Sequence, residues 1–217
     1  KGRYPWLLEK ADRDALQCGK SKTWPTLGNT ANCYAAGSVF HIDEIRDTFS
    51  TVKLLVSPLD PARAEYNNKY QFNYVTWVPN EANSYGIACG GYNGYPNGKA
   101  GADARRPSSI VSMTRNIRGP VNNGDSLSNQ QNNPAEPTAT EFAVWEGADE
   151  HPESFRAMAM LNANAGQIAL ADGSATQSNN AHLADQAMDH HKGTGGTYKG
   201  SASGLISTPF RNDGRGD

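Results

Sequence analysis

Asn164-Ala165-Gly166-Gln167-Ile168-Ala169-Leu170-Ala171-Asp172-Gly173-Ser174-Ala175-Thr176-Gln177-Ser178 is the stretch that decides the fold. Gln167 to Ala171 is an apolar run of strand length, and Asp172-Gly173 supplies residues that tolerate positive φ. The pair turns the chain, and Ser174 to Ser178 returns antiparallel. Asn179 or Asn180 then caps a helix over 181–192, because an Asx side-chain oxygen takes up an orphan N–H of a first turn. Leu183, Ala184, Ala187 and Met188 share one stripe of that helix, and Gly193 stops it.

Outward from this unit the pattern is mixed. Ser109 to Arg115 reads as a strand, and Tyr70-Gln71-Phe72-Asn73-Tyr74 alternates at the strand period. Phe142-Ala143-Val144-Trp145 is a short apolar segment, and Ser154 to Leu161 suits either a helix or an extended chain. Ile42, Ile45 and Phe49 fall on one face of a helix. Val52 to Val56 reads as a short strand, halted at Ser57-Pro58-Leu59-Asp60-Pro61 because neither proline can donate to a ladder. Trp6 to Ala11 reads as the last turns of a helix, with Pro5 tolerated in a first turn. The expected class is α+β: a small antiparallel sheet with a few docked helices and long polar loops.

Composition agrees with a loop-rich protein. Of 217 residues, 37% are hydrophobic, and 22 Gly and 12 Pro exceed what helices and strands use. One domain over 1–207 is expected, with a long exposed Asn/Gln/Pro loop at about 120–140 and a flexible tail at 208–217. The 20 basic and 22 acidic residues leave a net charge of -2, and no Lys/Arg run has the density that phosphate neutralisation needs. Nucleic acid is therefore not an expected partner. No apolar stretch approaches the roughly 20 residues that span a bilayer. The abrupt start at Lys1-Gly2-Arg3 reads as that of a mature or truncated product. Cys18, Cys33 and Cys89 have no C-x-x-C spacing, which argues against a zinc cluster. A Cys18–Cys33 disulfide and three free thiols both fit.

Chemistry-bearing patterns are few. Asp185 and Asp189 share a helix face at i, i+4, but His190 and His191 point about 100° apart, and the group reads as a solvated polar face rather than a metal site. Calcium is the ion loop carboxylates best suit, yet no D-x-D-x-D-G loop is present, and no cofactor is assigned. The chain has no G-x-S-x-G elbow, and the Gly-rich segment at 90–98 lacks phosphate-loop spacing. Glu146, Asp149 and Glu150 beside Trp145 are the carboxylates a glycoside hydrolase would use, although a charge cluster in a loop is ordinarily solvated. The aromatics between Tyr66 and Tyr95, with Tyr74, Trp77 and Tyr85 as candidates, suit sugar rings in a secreted carbohydrate-binding module; aromatics at period 2 equally make the packed side of a sheet. Arg215-Gly216-Asp217 closes a Gly/Asp tail.

Asn164 to Ser174 resembles the strand and turn of bacterial prepilin-type proteins with a C-terminal H-x9-D-G motif, relatives of type II secretion pseudopilins and type IV pilins. Asp172 and Gly173 match that motif, and Asn162 stands at its His position. Gly2 to Trp6 resembles the segment after a pilin helix. Leu54 to Pro61 resembles a strand ending in a C-P-x-D corner, with Ser57 in place of the Cys. Ser112 to Asn116 and the helix over 181–196 are similar as well. The resemblance implies a non-catalytic structural subunit of a pilus-like filament or secretion apparatus, in the cell envelope or outside the cell. It further implies self-assembly or pairing with other pilin-like subunits. Its membrane contact would run only through an apolar N-terminal helix that is not part of this chain.

Overall fold

The computed structural model describes residues 3–9, 11–12, 39–40, 42–61, 63–64, 83–88, 101–118, 144–148, 158 and 160–193. The Cys18, Cys33 and Cys89 thiols, the Tyr70–Tyr74 alternation, Tyr74 and Trp77, the loop at 120–140 and the C-terminal tail lie outside them. Six strands are described: β1 Tyr85–Ile87, β2 Ile110–Thr114, β3 Ile117–Arg118, β4 Val144–Trp145, β5 Gly166–Leu170 and β6 Ala175–Ser178. Four of them form an antiparallel sheet in the order β1-β2-β5-β6, while β3 and β4 pair separately. With helices α1 Asp43–Phe49 and α2 Asn180–Gly193, this is an α+β fold.

The hairpin forms as its sequence dictates, with one refinement. Ile168 pairs with Thr176 and Ala169 with Ala175. Gly173 N–H donates to Leu170 O at 3.0 Å and Leu170 N–H to Ser174 O at 2.9 Å. The turn therefore has three residues, Ala171 to Gly173, and Gly173 alone among them takes positive φ, at 87°. This is a type I turn closed by a glycine bulge, which suits the right-handed twist of the paired strands. Asp172 Oδ1 accepts from Ser174 N–H at 2.8 Å and from Ser174 Oγ–H at 2.6 Å, holding the turn from the side chain.

Helix α2 is capped by Asn179, whose Oδ1 accepts from His182 N–H at 2.8 Å. Its inward face carries Leu183, Ala187 and His190, at i, i+4 and i+7. The expected apolar stripe is thus turned to include a histidine, which the sequence pattern placed on a solvated face. His190 is 1% exposed, and its Nδ1 accepts from Ile110 N–H at 2.9 Å, so the imidazole satisfies a backbone donor of β2 while it packs. Ile110, Met113, Ile117, Trp145, Ile168 and Leu183 form the centre of the core, with Trp6, Val52 and Leu55 closing it.

Two expected elements take a different form. Val52–Leu55 is a 3₁₀ turn and not a strand. Thr51 Oγ1 accepts from Lys53 N–H, and the turn buries Val52 and Leu55 while leaving Lys53 and Leu54 exposed. Burial at i and i+3 is the 3₁₀ period, so packing overrides the β-propensity of the valines. Near the N-terminus Pro5–Leu7 is likewise one 3₁₀ turn that ends at extended Leu8, shorter than the helix end expected over Trp6 to Ala11. Trp6 is the reason: its ring is buried, and its Nε1–H donates to Ala102 O at 2.9 Å, which fixes the segment by a long-range contact.

A Cβ at Gly173 meets no atom within 4 Å, so a side chain there is opposed by backbone conformation alone. Gly173→Ala should lower stability by about 1 kcal/mol and Gly173→Val by more, because a β-branched residue strongly resists positive φ. Thermal melts check this; equal melting temperatures for wild type and Gly173→Val would contradict the turn assignment.

Candidate functional site

The residues singled out by sequence separate into three places. Asp172 and Gly173 form the exposed tip of the hairpin, where Ala171 N–H and Asp172 N–H also donate to Ser109 O and Pro107 O. The two hydrogen bonds from Ser174, side chain first and backbone second, hold the Asp172 carboxyl below its ordinary value. Asn162 is exposed ahead of β5. Glu146 is neither at the tip nor in solvent: it is 2% exposed, against the expectation of a solvated cluster, while Asp149 and Glu150 lie outside the described residues. Its burial follows from its backbone. Glu146 N–H donates to Asn116 O at 2.8 Å, and Asn116 Nδ2–H donates to both Glu146 O and Ala165 O at 2.9 Å, which draws the chain after β4 into the core.

Behind these residues lies a node that sequence reasoning missed. Asp60, fully buried, accepts from Arg115 Nε–H at 2.7 Å through Oδ2 and from Arg115 Nη2–H at 2.9 Å through Oδ1. Ser84 Oγ–H donates to the same Oδ2 at 2.8 Å. Backbone bonds run alongside: Ser84 N–H to Leu55 O at 2.8 Å and Arg115 N–H to Ser84 O at 3.0 Å. The bidentate fork suits a planar guanidinium and a carboxylate, and the serine adds a further donor to the buried oxygen. Asp60 is positioned by its own corner, where Ser57 Oγ accepts from Leu59 N–H at 3.2 Å and Ser57 O from Asp60 N–H at 3.0 Å. The visible signal was the pair of family-like segments, Leu54 to Pro61 and Ser112 to Asn116, each containing one partner.

A second ring of polar contacts holds β4 against the hairpin. Trp145 N–H donates to Asn180 Oδ1 at 2.8 Å, Asn180 N–H to Asn164 Oδ1 at 2.7 Å, and Asn164 N–H to Trp145 O at 3.1 Å. Asn164 takes positive φ, 64°, a conformation asparagine tolerates better than most residues. The indole of Trp145 lies so close to Gly166 that any Cβ there would collide with the ring. Gly166 therefore serves a close approach, and Asn180, open as a helix cap on sequence, instead pins Trp145.

Among the described residues, the sheet face opposite α2 carries an open groove with polar groups that can contact a ligand. Gln167 pairs with Gln177, Ala169 with Ala175, and Ser112 with Ala169, so these side chains share that face. They border a groove of about 320 Å³ that also takes in Tyr85 of β1, the one candidate aromatic within the described residues. Its lining bears hydroxyls, amides and apolar groups but no charge. Among the described residues no group of three or more His, Cys, Asp or Glu could hold a metal ion, and no helix is long and apolar enough to cross a membrane.

At the opposite end of β2, Asp103 accepts from Arg105 N–H at 2.9 Å and receives its guanidinium at 2.6 Å, with Arg106 at 3.9 Å. Foremost the Arg105 side-chain hydrogen bond holds the Asp103 carboxyl at about 2, against the cost of burial. The chain matches no family model, no curated protein and no solved structure.

A carboxyl depressed in the folded state adds stability above its unfolded pKa and loses it as pH falls through the folded value. Wild type should therefore melt above Asp103→Asn at about pH 6, and the gap should close as pH falls from about 4 to about 2. Because Arg105 is 69% exposed, added salt should shrink the gap as well. A gap independent of pH would contradict the assignment.

Proposed function

We propose that the chain is the outward head of a prepilin-type structural subunit, of the pseudopilin and pilin-like kind, acting in the cell envelope or outside the cell without catalysing a reaction. The observation that carries this reading is spatial. Three segments that separately resemble the family, Leu54 to Pro61, Ser112 to Asn116 and Asn164 to Ser174, meet around one sheet, joined by the Asp60–Arg115 pair and the β2–β5 ladder. The Asp60–Arg115–Ser84 cluster and the Asn116 amide tie the elements of that interior together, as suits a head that presents surface. Assembly would run through an apolar helix ahead of Lys1 and through contacts with other pilin-like subunits.

A second reading draws on the groove. Tyr85, Gln167, Gln177 and Ser112 offer an aromatic face, amides and a hydroxyl without charge, the chemistry that suits neutral sugars. Binding of glycan and a structural role are compatible in one head.

The test is the gene upstream of Lys1 and the fate of its product. The reading expects an apolar segment of roughly 20 residues there, cleaved at its start by a prepilin peptidase and holding the protein in the membrane fraction. A full-length product with no such segment would overturn it. A glycan array then decides the second reading: signal lost in Tyr85→Ala supports it, and a blank array for wild type removes it.

A further inference from the structure

Strand register settles which backbone groups of β6 are in use. Leu170 N–H donates to Ser174 O, so these two form a hydrogen-bonded pair. Antiparallel alternation then makes Ile168–Thr176 and Gly166–Ser178 the other such pairs. Gln167 fits this scheme, since its N–H points the other way and donates to Thr114 Oγ1 at 3.0 Å. It follows that Ala175 and Gln177 turn their N–H and C=O groups away from β5. Strand β6 ends the sheet order, both residues are exposed, and among the described residues none pairs with that edge. Ser174 to Ser178 contains no proline and no charged residue, and β5–β6 pairing runs without a bulge past the turn, so the usual protections of an edge strand are missing.

We propose that this edge pairs with the same edge of a second copy of the chain, β6 against β6, antiparallel about a two-fold axis at Thr176. The partial charges of the edge are complementary under that operation. Ala175 comes opposite the partner's Gln177, and Gln177 opposite the partner's Ala175. Each positive N–H then faces a negative C=O, and four hydrogen bonds use every outward group of the two strands. An axis at Ala175 or at Gln177 pairs only one outward residue with its copy. The axis stands perpendicular to the sheet, so both α2 helices stay on one face and both grooves on the other. The Ala175 and Gln177 side chains lie on the groove face, and the two grooves join into one surface across an eight-stranded sheet.

Four residues per strand bury less than the roughly 1,000 Å² of a stable interface, so the dimer is weak, with a Kd on the order of tens of micromolar. The pairing needs no anchor helix, and its failure leaves the proposed function untouched. Sedimentation equilibrium up to about 1 mM, where such a Kd leaves most of the protein dimeric, should show a monomer–dimer equilibrium for wild type. Ala175→Lys with Gln177→Lys sets like charges opposite each other twice and should weaken association at least about tenfold. Ala175→Lys with Gln177→Glu sets opposite charges there and should restore it. A wild type monomeric throughout, a double-lysine variant that dimerises as tightly as wild type, or a lysine–glutamate variant that does not recover would each overturn the proposal. Hydrogen exchange of wild type alone provides a check independent of any variant. The Ala175 and Gln177 amides should gain protection with concentration, while Thr176, already bonded to β5, should not; equal behaviour of all three contradicts the pairing.

Discussion

A carboxylate and a guanidinium with almost no solvent around them make the contact on which the remaining structure depends. Asp60 and Arg115 stand 55 residues apart in sequence and meet as a bidentate pair with Ser84 as third member. Removing two such charges from water costs several kcal/mol each unless geometry and further donors compensate, so the elements that carry them must arrive together. The corner after the 3₁₀ turn, the entry to β1 and the exit of β2 are thereby held at one point. From there Asn116 reaches Glu146 and Ala165, and the ring of Trp145, Asn164 and Asn180 carries the constraint to the hairpin and the start of α2.

That arrangement divides the molecule by task. The α2 side is closed, with His190 supplying an acceptor where β2 would otherwise bury an N–H. The opposite side leaves small and polar side chains beside a groove, bordered by an edge strand whose donors and acceptors are spaced to meet themselves. Glu146, at 2% exposure, lies in the closed interior and not on the open side.

How much of this could be read in advance depended on the range of the forces involved. The β5–β6 hairpin, β2 and helix α2 were legible because Asp172-Gly173, an apolar run and an Asn cap act within a few residues of themselves. The same holds for the α+β class. Val52 to Val56 was misread because its β-branched residues favour a strand, while a buried Leu55 and the Thr51 cap favour a tighter turn. His190 was misread because a histidine in a polar run is normally solvated, and only the approach of Ile110 N–H makes its burial favourable. Asp60 and Arg115 each stood in a quoted motif, but no local pattern says that residues so far apart will meet. Gly166 carries no local signal of its role, which is to let the Trp145 ring lie on the backbone.

Native-state hydrogen exchange on wild type and Asp60→Asn tests the central place of the buried pair. The amides of Ser84, Arg115, Glu146 and Gln167 all donate to partners around it. If the pair organises the fold, these four exchange at one free energy in wild type, and Asp60→Asn lowers all of them together by about 3–5 kcal/mol. Loss of protection confined to Ser84 and Arg115, with Glu146 and Gln167 unchanged, would contradict the account.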